Sequence, residues 1–134
     1  MKNLLKSLFV GVLLFTNLLA SAEITSVSTI ADAKKLNSGD SIYFSGELTL
    51  QYVAISSAGI NYFAFDANNE YVRLRSYYWA DIFEAGNQLS VGNIITISGK
   101  LAFYNDDNSC ATFDVPQEAL STISVTGQGS RQTP

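Results

Sequence analysis

The residues best suited to chemistry lie in one short stretch. Phe63 and Phe65 stand two apart, Tyr71, Arg73 and Arg75 alternate through the next run, and Tyr77 and Tyr78 follow directly. In an extended chain, residues two apart share a face. With Val72 and Leu74 turned inward, Tyr71, Arg73 and Arg75 turn outward. If Phe63 and Phe65 share that outer face, rings and guanidinium groups interleave. Such a surface stacks on nucleobases while arginine meets phosphate, or stacks on sugar rings. In the other arrangement both phenylalanines enter the core and the arginines pair with nearby acids. Alternation puts Phe63 and Phe65 on one face without deciding which. Tyr52, Tyr62 and Trp79 add rings suited to a flat ligand or a protein interface, and equally to half-buried strands.

Other chemistries are excluded more directly. The chain has no histidine, so it lacks the commonest general base and transition-metal ligand. Its single cysteine, Cys110, rules out an internal disulfide and a multi-thiolate zinc site. Cys110 reads as a small strand residue with no neighbouring His or Lys to lower its pKa. Asp106-Asp107 falls in a turn and reads as a solvated pair. Asp66-x-Asn68-x-Glu70 has part of a calcium loop's spacing but lacks the glycine and the later bidentate glutamate. We therefore expect no enzymatic activity, no catalytic residue, no metal and no cofactor.

The N-terminus reads as an export signal. Lys2 and Lys6 precede a mostly apolar run from Leu8 to Leu19, and Ala20-Ser21-Ala22 supplies a small-x-small cleavage site. The run is too short to span a bilayer and Thr16 and Asn17 interrupt it, so no transmembrane segment is expected after cleavage. We expect residues 1–22 to be removed, a single domain over 23–126, a disordered tail over 127–134, and a periplasmic or secreted product. Losing Lys2 and Lys6 takes the net charge from −4 to −6. An acidic domain gains no general attraction to phosphate backbones or anionic lipid surfaces, which argues against nucleic acid. The partner is expected to be an unknown small ligand or an envelope protein.

The elements that must position these residues begin with a repeat. Gly39-Asp40-Ser41-Ile42-Tyr43-Phe44-Ser45-Gly46-Glu47-Leu48 returns as Gly92-Asn93-Ile94-Ile95-Thr96-Ile97-Ser98-Gly99-Lys100-Leu101. Each copy has a turn pair, then period-two alternation, then a glycine where a strand bends. A short helix is expected over 29–36, capped by Ser28 or Thr29. Strands are expected over about 41–55, 60–66, 71–75, 93–104 and 110–115, with an extension over 123–126. In the first, Ile42, Phe44, Leu48 and Leu50 share one face, and Tyr43, Ser45, Glu47, Thr49 and Gln51 the other. Trp79, Ile82 and Phe83 recur at helical spacing between the third and fourth strands. The expected fold is all-β with short helices: a five-stranded OB-fold barrel with a helical insert between strands 3 and 4.

Over about Val27 to Val115 the chain resembles the bacterial OB-fold family of periplasmic stress-tolerance proteins. The resemblance rests on Ser28-Thr29-Ile30 with Ala33 and Leu36, Ile42 with Phe44-Ser45-Gly46, and Asn61 to Ala67. It continues in Val72-Arg73-Leu74, Trp79, Ile97-Ser98-Gly99-Lys100 and Phe113-Asp114-Val115. It implies a periplasmic, non-enzymatic domain linked to tolerance of oxidative, metal, acid or envelope stress. It carries over no catalytic residue.

Overall fold

The computed structural model describes residues 24–56, 59–79, 89–105 and 111–129. Among the described residues the protein is all-β, with two short helices that lie wholly within them. Its elements are β1 (Thr25–Val27), α1 (Ile30–Ala33), β2 (Ser41–Phe44), β3 (Leu48–Ser56), β4 (Gly59–Phe65) and β5 (Tyr71–Ser76). They continue with β6 (Asn93–Ile97), β7 (Lys100–Tyr104), β8 (Ala111–Asp114), α2 (Gln117–Leu120) and β9 (Ile123–Gln128). All nine strands join one curled sheet in the order β1-β2-β7-β8-β5-β4-β3-β6-β9. The expected first and fourth strands are each split in two at their glycines. Residues 80–88, which carry most of the expected helical insert, lie outside the described residues, as do Asp106, Asp107 and Cys110. β9 runs through Gln128, two residues past the expected end of the domain.

The sequence repeat becomes a structural one. β2 lies antiparallel to β7 with Ile42 opposite Leu101, and β3 lies antiparallel to β6 with Leu48 opposite Ile95. Because the copies are offset by 53 residues, these two pairs exchange under one internal two-fold relation. The turns obey it as well. Gly39 N–H donates to Phe103 O at 2.6 Å, and Gly92 N–H donates to Leu50 O at 2.7 Å. Both turn glycines have φ near +93°, a conformation that side chains resist.

Both kinks are sites of close packing. A Cβ on Gly46 would stand 2.5 Å from the carbonyl oxygen of Ser28, and one on Gly99 would stand 2.8 Å from both Cα and Cβ of Ala119. Gly99 therefore lets α2 settle on the sheet, while β8 and β9 on either side of α2 pair with β7 and β6. Three neighbouring strand paths are thus interrupted, β2–β3 at Gly46, β6–β7 at Gly99 and β8–β9 at α2.

Alternation puts one face of each strand in the core. Ile42, Leu50, Val72, Leu74 and Phe103 are fully buried, and Phe113 packs against Phe44 and Phe103 at centroid distances of 5.3 and 6.2 Å. Of the two expected caps, Ser28 and Thr29, it is Thr29 that accepts a bond from Asp32 N–H at 3.1 Å and starts α1. One assignment needs correction. Gln51 is buried, because a β-bulge between Leu50 and Tyr52 inserts it and resets the alternation, sending Tyr52 outward.

Tyr62 sits in the core, edge-on to Trp79 at 4.9 Å, and burial pushes its phenol from near 10 up to about 12. The fold holds the neutral phenol, so this part of the stability is whole below pH 10. It is lost as pH rises from 10 toward 12, where the unfolded chain ionises first. The expected loss is about 1–3 kcal/mol. Tyr62→Phe is expected to flatten that alkaline decline in urea melts. Identical declines in both proteins would exclude Tyr62 as the source.

Candidate ligand-binding face

β4 decides the site. Its residues Tyr62 and Ala64 are buried, so Phe63 and Phe65 stand on the outer face, as alternation requires. The arrangement that sends both phenylalanines into the core does not hold. Tyr71, Arg73 and Arg75 occupy the same outer face of β5, half-buried and alternating with buried Val72, Leu74 and Ser76.

Cross-strand register sorts this face into rows. One row runs Tyr52, Phe63, Arg73, Thr112, Tyr104 across β3, β4, β5, β8 and β7. The next runs Ala54, Asn61, Arg75, Asp114, Ala102, Ser41. Thr49, Phe65 and Tyr71 make a shorter third. Rings touch within rows and, through Phe63 and Tyr71, between them. Tyr52 to Phe63 is 5.8 Å, Phe63 to Tyr71 is 5.8 Å and Phe65 to Tyr71 is 4.4 Å, with interplanar angles of 47°, 40° and 87°. The four rings form a tilted aromatic ribbon over three strands.

The arginines border the ribbon and are held in place. Arg73 Nε donates to the Thr112 hydroxyl at 3.2 Å. Arg75 Nε donates to Asp114 Oδ1 at 3.4 Å, and its guanidinium lies over the Tyr104 ring, 5.5 Å from the centroid. Part of the expected pairing of arginine with acid is therefore present at Arg75. At about one-third exposure on both partners, this ion pair contributes well under 1 kcal/mol and serves mainly to orient the guanidinium.

Tyr77 and Tyr78 lie beyond the end of β5. They are 74% and 42% exposed, and Tyr78 N–H donates to Ser76 Oγ at 3.2 Å. Among the described residues neither touches the ribbon. Tyr104, Thr112 and Asp114 belong to the face and were missed, while Tyr52, one of the added rings of the sequence reading, joins the ribbon. Tyr104, Thr112 and Asp114 obey period two within their strands, but β8 joins β5 by a parallel pairing distant in sequence and β7 lies beyond it, whereas Tyr52 comes outward only through the bulge at Gln51. Where the second row reaches β7, a cleft of about 590 Å³ opens beneath α2, bordered by Ser41, Lys100, Asp114, Glu118 and Thr122.

Asp66 has a different role from that of a metal ligand. Its Oδ1 accepts from Asn68 N–H and Glu70 N–H, and its Oδ2 from Ile30 N–H, each at 2.9 Å. The buried carboxylate ties the β4–β5 turn to the first residue of α1. Among the described residues no three His, Cys, Asp or Glu side chains gather, and no helix is long and apolar enough to cross a membrane.

Comparisons with protein-family profiles, with curated proteins and with solved structures find no match to this chain.

Proposed function

We propose that this chain is an exported, non-enzymatic OB-fold binding domain of the bacterial envelope, which takes its ligand across the outer face of β3, β4 and β5. The strand pairing supports the OB reading. Taken as continuous paths, β2–β3, β4, β5, β6–β7 and β8 are five strands, and the fourth returns to pair with the first. The third and fifth are parallel, β5 beside β8. The face formed by the second and third strands of such a barrel is the one on which OB-folds bind oligonucleotides and oligosaccharides. The leader-like N-terminus and the family resemblance support a place in the periplasm and a role in envelope stress tolerance, with recognition and no bond making as the mechanism.

The observation that carries this reading is the outward ribbon of Tyr52, Phe63, Tyr71 and Phe65. A second reading concerns what stacks there. Arg75 is already committed to Asp114 and Tyr104, and the chain is acidic. Both points favour the uncharged rings of an oligosaccharide over a single-stranded nucleic acid.

Tyrosine fluorescence tests both, since Tyr52 and Tyr71 lie in the ribbon. A neutral oligosaccharide is expected to quench it, with little dependence on salt. Tyr71→Ala and Phe63→Ala are each expected to weaken binding by about 5- to 100-fold, the cost of one stacking ring. Quenching by single-stranded DNA that falls steeply with salt would reverse the choice of ligand, because only a polyanion releases counterions. No response to either class at high micromolar concentration would remove this face as the binding site.

A further inference from the structure

We propose that β9 is a self-pairing edge, on which a second copy of this chain adds its own β9 antiparallel across a two-fold axis. β9 ends the sheet and pairs only with β6 among the described residues. Natural edge strands are blunted by shortness, by charge or by proline. The opposite edge, β1, has three residues. β9 has six, Ile123-Ser124-Val125-Thr126-Gly127-Gln128, with no charge and no proline. Ser124, Val125, Thr126 and Gln128 are exposed, Val125 by 54%. The one blunting device is the bulge at Thr126 opposite β6, where its hydroxyl donates to Ile94 O at 3.3 Å.

The occupant follows from the order of side chains. With the axis at Val125, valine meets valine, and Ser124 of each copy faces Thr126 of the other. Apolar thus meets apolar, and hydroxyl meets hydroxyl, pairings that favour antiparallel strands. The flanking pair is Ile123 with Gly127, which brings no steric conflict. Charge also selects a second copy. Each chain carries a formal charge of −4, so most approaches between copies are repulsive, whereas this edge places no ionised side chain against its mate. Two six-residue strands bury less than the roughly 1,200 Å² of a stable interface, so the dimer is weak.

Sedimentation velocity of the purified protein, from about 10 to about 500 µM, is expected to show a concentration-dependent shift from monomer to dimer. Val125→Lys sets two ammonium groups face to face and is expected to weaken association at least about tenfold, with an unchanged thermal melt because Val125 is exposed. Register gives a second readout. In a Cys110→Ser background, Val125→Cys is expected to form a disulfide-linked dimer under mild oxidation, while Ser124→Cys, facing Thr126, is not. Monomer throughout the range with no cross-linking overturns the proposal. So does a dimer that Val125→Lys leaves intact, since it would use another surface.

Discussion

Replacing Asp66 with alanine is expected to lower the stability of the domain by about 3 kcal/mol, although the residue touches no ligand face. A hydrogen bond to a charged group contributes about 1.5–3 kcal/mol, and leaving a buried donor unsatisfied adds a desolvation cost. Asp66 serves three backbone donors at 2.9 Å and is only 6% exposed. The sum is not additive, because α1 and the turn will relax once released. For a domain of this size the loss corresponds to a fall in Tm on the order of 15 °C. Asp66→Asn sharpens the expectation. An amide oxygen can still receive Asn68 and Glu70 N–H, but its NH2 group then confronts Ile30 N–H, donor against donor. The asparagine variant is therefore expected to keep the β4–β5 turn and lose the docking of α1. Amide hydrogen exchange would show this as selective loss of protection over 30–36. Uniform loss, or a melt like the wild type, would contradict the assigned role.

A methyl group at Gly99 is expected to cost about 2 kcal/mol, within the range for overpacking a tight contact. The Cβ would meet the Cα and Cβ of Ala119 and the hydroxyl oxygen of Thr122, all at 2.8 Å. Two of these atoms cannot rotate away, so α2 itself must shift. Ala119→Gly removes one obstacle and leaves the Cα, so the double variant is expected to recover only part of the loss in urea melts. Full additivity of the two substitutions would mean that Gly99 and Ala119 do not share this contact. The displacement of α2 also bears on the cleft beneath it and on β9, which starts directly after the two-residue turn that ends α2. Association through β9 is therefore expected to weaken in Gly99→Ala, whereas in Asp66→Ala it should follow global stability alone.

Much of the strand layout was legible because it is local. Val72 and Leu74 alternate with Tyr71, Arg73 and Arg75, so the two faces of β5 differ in polarity and can be told apart from the chain alone. β4 offers no such contrast. Asn61-Tyr62-Phe63-Ala64-Phe65 is apolar on both parities, and only pairing with β5, Ala64 opposite Val72, decides that Tyr62 enters the core and Phe63 faces out. Gln51 shows the opposite failure. Its alternation looked regular, and a bulge in the pairing with β4 shifted the phase. Asp66 resembled part of a cation loop because its spacing is that of an Asx-type turn, a geometry that backbone donors fill as readily as a cation.

The glycine repeat marks the division between the two levels. Local sequence was enough to show that the chain builds period-two strands, that two of them are interrupted at Gly46 and Gly99, and that no histidine is present. Each of these depends on backbone conformation or residue chemistry that neighbours in the chain already specify. The tertiary structure alone decided that the two copies pair with each other about an internal two-fold relation, and that Gly99 yields its space to α2. It alone brought Thr112, Asp114 and Tyr104 beside the arginines. Those outcomes depend on register between strands tens of residues apart, which is set by burying all the inward faces at once and leaves no local trace.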